Sequence, residues 1–260
     1  MYKRQPGYRA DVVLLDDLKD FHVNRVFIQG ALVAEEGKYL PEIKRYDIST
    51  VKGSVIVKDF SAEKFKMHLK SNKVNVIKIL PGGVVTAKDT AEIQLDENGE
   101  FVRNPEEDIV KVAVVERHQG TGNVACGFLK GYGIKAGAVA LSIAHDSHNI
   151  IVVGVSDEEM EFAVNSLIAQ EGGMVLVREG KVLESMPMPI AGLMSDQSGE
   201  WVDEKLTAIH AKAYEELGIA GDVEPVMTLC FMSLAVIPEV KLTDMGLFDV
   251  TTFSFIPVEA

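Results

Sequence analysis

From residue 136 to residue 144 the chain carries no charge; it then sets five polar residues in a row, His145-Asp146-Ser147-His148-Asn149, and returns at once to an apolar run at Ile150-Ile151-Val152-Val153. Two apolar segments joined so closely constrain the fold strongly. Segments 139–143 and 150–155 read as buried strands, with the polar group on the connection between them. Inside a core each of those polar side chains would need its own partner, so their gathering at a strand end points to a pocket or an interface. A third run, Ile109–Val115, is largely apolar and β-branched and delivers Glu116-Arg117-His118 and then Gly120-Thr121-Gly122-Asn123 at its end.

The rest of the chain gives an order of elements. Short strands are expected at Val12–Leu15, 23–29 and 31–34, with Gly30 and Gly37 at turns. Three strands with one apolar face are marginal alone, so something must cover them. After the polar stretch 41–53 come a strand at 54–57, a short helix at 61–69, and strands at 74–80 and 91–95. Lys64, Lys66, Lys70 and Lys73 read as a solvated face of that helix. Asn98-Gly99 marks a hairpin.

Ser156 and Glu159 have the spacing of a capping box, Met160, Val164, Leu167 and Ile168 form an apolar stripe, and Gly172-Gly173 ends the helix. A second helix is expected at about 200–217, where Val202, Leu206, Ile209, Ala213 and Leu217 recur at helical steps before Gly218. Segments 174–177 and 182–186 form a hairpin around Glu179-Gly180. The fold class is α+β, with mixed β-sheets and two main amphipathic helices preceded by a few strands of a separate sheet. The domain division is 1–45 and 50–260.

With 47% apolar residues the chain has material for a sizeable core, and a formal net charge of −13 argues against a nucleic-acid partner. No apolar run approaches the ~20 residues of a membrane helix, and the N-terminus lacks a signal-peptide core. Cys126 and Cys230 sit among apolar neighbours and read as buried, reduced thiols. The expectation is a cytoplasmic protein.

The candidate site residues are Glu116, Arg117, His118, Gly120, Thr121, Gly122, Asn123, His145, Asp146, Ser147, His148 and Asn149. A metal would accept His145, Asp146 and His148, but one tight turn seldom aims three side chains at one ion. The chain has no His-x-His, His-x-x-x-His or Cys-x-x-Cys, so it offers no self-contained hydrolytic metal site. Ser147 lacks a nucleophile elbow. Gly120-Thr121-Gly122-Asn123 matches no phosphate-binding fingerprint and reads as a turn. Glu116 and Arg117 suit an ion pair at a strand end, with proton transfer by Glu116 resting on position alone.

Five segments together resemble the C-terminal portion of bacterial adenine deaminases of the amidohydrolase superfamily. They are Val114-Val115-Glu116-Arg117-His118, Gly120-Thr121-Gly122-Asn123, Ala144-His145-Asp146-Ser147-His148-Asn149, Pro189-Ile190-Ala191-Gly192-Leu193-Met194-Ser195-Asp196, and Val236-Ile237-Pro238-Glu239-Val240-Lys241-Leu242-Thr243-Asp244. The resemblance covers nearly the whole chain. Gly7-Tyr8-Arg9-Ala10-Asp11-Val12-Val13-Leu14-Leu15-Asp16 is similar to a strand of the small amidohydrolase β-sandwich, and 26–37 to its closing hairpin.

The resemblance implies hydrolysis of adenine to hypoxanthine and ammonia on a binuclear manganese or iron centre. It also implies that the metal ligands belong to a (β/α)₈ barrel N-terminal to these residues. The chain is therefore expected to be a C-terminal piece or split-enzyme component with no catalytic residue and no metal of its own. Its partners would be the barrel and, through it, adenine, in a homo-oligomer. The alternative expectation is a purine-binding or subunit-interaction module without chemistry.

Overall fold

The computed structural model describes residues 5–260, which divide into two compact units between Asp47 and Ile48. The first unit is a four-stranded antiparallel sheet in chain order: β1 (Val12–Leu15), β2 (Val23–Ile28), β3 (Ala31–Glu35) and β4 (Lys38–Tyr39). Gln29 and Gly30 join β2 to β3, both at positive φ, which matches the twist of a two-residue hairpin. None of the described residues before Asp47 is buried, and Val12, Val13 and Leu14 stay exposed.

The second unit is built on an eight-stranded sheet. Its strands are β5 (Lys73–Ile79), β6 (Thr86–Glu92), β9 (Ile109–Val115), β10 (Val124–Lys130), β11 (Ala138–Leu141), β12 (Ile150–Gly154), β13 (Gly173–Arg178) and β14 (Lys181–Pro187). A small hairpin of β7 (Gln94–Leu95) and β8 (Phe101–Val102) lies between β6 and β9 in the chain. The spatial order is β14-β13-β11-β12-β9-β10-β5-β6, antiparallel except for the β5–β10 pair.

Helices cover both faces. On one face α1 (Asp157–Ala169) sets Met160, Ala163, Val164 and Leu167 against Ala113, Val115, Ala138, Ala140 and Val152. On the other, Val112, Val114, Val139, Leu141 and Val153 meet Ile209 and Ala213 of α2 (Gly199–Glu215) and Val226 and Leu229 of α3 (Pro225–Cys230). All of β9 is buried, which explains why its sequence is apolar at every position but Lys111: alternate apolar side chains enter different cores. Each fully buried aliphatic side chain contributes roughly 1.5–3 kcal/mol. A three-stranded sheet, β15 (Val240–Thr243), β16 (Gly246–Asp249) and β17 (Ser254–Ile256), completes the unit.

Both expected helix starts are capped: Ser156 Oγ accepts the Glu159 N–H and Ser198 Oγ accepts the Trp201 N–H, each at 3.3 Å. The helix expected at 61–69 is instead one short 3₁₀ turn, Ala62–Phe65, followed by chain without regular secondary structure. Phe65, Met67 and Leu69 point inward and Lys66, His68 and Lys70 outward, a two-residue period read wrongly as helical. Nor do those lysines form one solvated face, since Lys64 Nζ donates to Gly122 O at 2.6 Å and Lys66 pairs with Asp157. Segment 54–57 forms no strand.

The sequence reading omits β10, whose interior Gly127 breaks the strand pattern. A Cβ at Gly127 would stand 3.2 Å from Leu247 Cδ2, so the glycine admits the three-stranded sheet against β10. Both cysteines are free, and burial pushes each thiol up to about 12. Among the described residues no helix is long and apolar enough to cross a membrane.

Candidate functional site

Strand register decides what meets at this end of the sheet. Val115 lies opposite Ile150 on one side and Val124 on the other, so the chain after Val115 and the chain before Ile150 emerge together. The two loops are tied directly: His118 Nε2 contacts Ser147 O at 2.8 Å, and the Arg117 N–H donates to Asn149 Oδ1 at 3.3 Å.

Glu116 turns inward and organises its own loop. Its carboxylate accepts the backbone N–H groups of His118 (2.5 Å), Gln119 (2.7 Å) and Thr121 (2.9 Å) and the Thr121 hydroxyl (3.0 Å). Burial works to raise its pKa, but these four donors outweigh it and hold the carboxyl down to about 2. A carboxylate so saturated does not exchange protons near neutrality. Its negative charge is the nucleus around which residues 118–121 fold. Gly120 and Gly122 supply the positive φ values of the loop, and Asn123 returns the chain by accepting the Glu116 N–H at 3.0 Å.

Among the described residues Arg117 is the largest fully buried side chain and pairs with no carboxylate. Carbonyl oxygens from separate segments take its protons instead: His148 O at 2.5 Å from Nε, and Ala191 O at 3.2 Å and Ser142 O at 3.5 Å from Nη2. Nη1 is buried without a partner. Burial lowers the guanidinium's pKa without approaching loss of its charge.

Gly192 lies against the guanidinium. A Cβ there would stand 2.7 Å from Nη1 and 3.0 Å from Cζ, and its φ of +70° favours glycine as well. Ser142 fastens the same loop by donating to Gly192 O at 2.6 Å and accepting the Gly173 N–H at 2.7 Å. Loop 189–196 is thus part of the site, although the site expectation from sequence leaves it out. Its signal was the glycine inside a motif already noted for its resemblance; its contacts to Arg117 run through backbone, which has no sequence signature.

The outer side of the 145–149 loop is different in character. His145 is about half exposed and its Nδ1 contacts the Asp146 carboxylate. Its ring lies 5.3 Å from Phe231 and 5.8 Å from His148, measured between centroids. Ser147 is exposed, with Oγ accepting the Asn149 N–H, while Asn149 is buried. His148 is partly buried; burial first, then His145 and Arg117, lower its pKa. Among the described residues no group of three or more His, Cys, Asp or Glu side chains converges to hold a metal ion. The described residues therefore do not fit a catalytic metal centre.

Fold and site together define an α+β domain in which three loops close over one buried arginine. Residues 83–254 match the family described as the adenine deaminase C-terminal domain, and the chain belongs to that family. It is 65% identical to adenine deaminase 2 of Desulfotalea psychrophila, 47% identical to adenine deaminase of Ligilactobacillus salivarius and 47% identical to adenine deaminase 2 of Carboxydothermus hydrogenoformans. These alignments cover 97–98% of this chain but only 44% of each relative, so the chain spans less than half the length of the proteins it matches.

Proposed function

We propose that the chain is the C-terminal part of an adenine deaminase, which converts adenine and water to hypoxanthine and ammonia in purine salvage or catabolism. On this reading it works in the cytoplasm, in a homo-oligomer, beside a catalytic barrel that holds a binuclear manganese or iron centre. The chain's own contribution is mechanical and hydrogen-bonding. Arg117 and Glu116 hold the 116–123, 145–149 and 189–196 loops rigidly, and the outward groups of His145, Asp146, Ser147 and His148 face the barrel or its substrate mouth.

The observation that carries this reading is the identity to proteins named adenine deaminase over almost the whole chain. The convergence of three resemblance-bearing loops on Arg117 supports it further. Ammonia release from adenine tests it, comparing the chain alone with the chain combined with the remaining portion of the Desulfotalea psychrophila relative. The combination is expected to release ammonia and the chain alone is not. Release by the isolated chain would refute this division of labour, and none from a stable combination would refute the deaminase reading.

A further inference from the structure

Of the two imidazoles in the 145–149 loop, His148 is the one tied to Arg117. Its backbone has φ +53°, a left-handed conformation uncommon outside glycine. Two bonds hold it there: its N–H donates to Ala144 O at 2.6 Å, and its carbonyl accepts Arg117 Nε at 2.5 Å. In the ring, Nδ1 is buried without a partner while Nε2 is not enclosed in that way.

This arrangement decides where the ring proton sits. A proton on Nδ1 would be a buried donor with no acceptor, carrying the desolvation cost of an unmade hydrogen bond. A bare lone pair at Nδ1 is more easily tolerated, and the fixed charge of Arg117 favours it. The titratable and charged groups acting on the ring are His145, Arg117, Asp146 and His118; only Asp146 favours a second proton. The neutral ring is therefore the working form, with its hydrogen on Nε2.

We propose that Arg117 is a positioning residue that fixes His148 as a neutral imidazole protonated on Nε2, an outward donor for a ring-nitrogen acceptor of a neutral heterocycle of the purine class. The purine assignment rests on the adenine deaminase reading above. Adenine suits such a donor because its N1, N3 and N7 are acceptors lying in the plane of a flat ring. His145, tethered to Asp146 and set beside Phe231, flanks His148 at 5.8 Å between ring centroids.

Long-range ¹H–¹⁵N spectra of the histidines in this chain test the positioning. In the unmodified chain His148 is expected to show the Nε2-protonated pattern at neutral pH and a midpoint below the ordinary ~6.5. Arg117→Met raises that midpoint toward the ordinary value, and Arg117→Lys, which keeps the charge, does not. An Nδ1-protonated ring, or an ordinary midpoint, in the unmodified chain overturns the proposal whether or not the variants fold. So does an unmoved midpoint in folded Arg117→Met.

The purine arm is read separately, in the complete enzyme carrying this segment. His148→Gln, which returns an N–H donor, is expected to keep about tenfold more kcat/KM for adenine than His148→Ala. Equal losses in the two variants refute the purine donor role even where the unmodified enzyme is active. Absence of ammonia release from the unmodified complete enzyme refutes the underlying deaminase reading instead.

Discussion

Glu116→Gln removes the charge at the centre of the 116–121 loop while keeping the side chain's shape. Oε1 accepts from the His118 and Gln119 N–H groups and Oε2 from the Thr121 N–H and hydroxyl. Whichever way the amide is turned, its NH₂ faces two donors. The carboxyl's fall from 4.5 to about 2, achieved against the opposing effect of burial, corresponds to about 3 kcal/mol of stability at neutral pH.

The folded pKa lies below the unfolded one, so this stability is complete above about 4.5 and is lost as pH falls toward 2. Near pH 3 less than half of it, about 1.4 kcal/mol, is left. Urea unfolding of both proteins, followed by the fluorescence of Trp201, the only tryptophan, reads the unit that contains the loop. Taking the difference between the two proteins cancels the other carboxylates. The expected penalty for Glu116→Gln is about 3 kcal/mol at neutral pH, shrinking by more than half near pH 3. A penalty under about 1 kcal/mol, or one that does not change with pH, would refute the role given to Glu116.

Two further substitutions probe the surrounding frame. Gly192→Ala puts a methyl group within 2.7 Å of Arg117 Nη1 at a φ of +70°, and is expected to cost about 2–3 kcal/mol in urea unfolding. A cost below about 0.5 kcal/mol would mean that the 189–196 loop does not depend on its seat against the guanidinium. Lys241 is fully buried and donates to Val84 O at 2.9 Å; burial draws its amine down from 10.5 to about 8. Because the unfolded chain then binds the proton more tightly, the protein should gain about 3 kcal/mol between pH 8 and pH 10.5, relative to Lys241→Met. Parallel stability curves for the two proteins across that window would contradict the buried-amine account.

What could be read from sequence follows from how strongly each element's burial is patterned. The run at β9 was legible because both faces of the strand are covered, and α1 announced itself by Ser156, Glu159 and a helical stripe. Segment 65–70 misled because its alternation was matched to the wrong period, and its path is fixed by tertiary contacts such as the Met67 N–H to Glu100. β10 was hidden by Gly127, α3 by its brevity, and β15 to β17 by lengths of three or four residues.

In the site, the clusters 116–123 and 145–149 were legible as polar groups at strand ends, and the structure brings them together. Arg117's role was not. A charged side chain bound by carbonyls of residues 142, 148 and 191 has partners of no particular residue type, so an ion pair with Glu116 is the natural expectation from adjacency. Instead each takes its own set of backbone groups, Glu116 the N–H donors and Arg117 the C=O acceptors.

On the proposed function, this chain supplies a rigid, hydrogen-bonding frame and the catalytic ions are held elsewhere in the enzyme. The most direct test loads the purified chain with Mn²⁺ or Fe²⁺, removes loosely held metal by dialysis, and measures in one sample both the metal retained and the ammonia released from adenine. No stoichiometric metal and no ammonia are expected. A pair of retained ions together with turnover of adenine by this chain alone would contradict it.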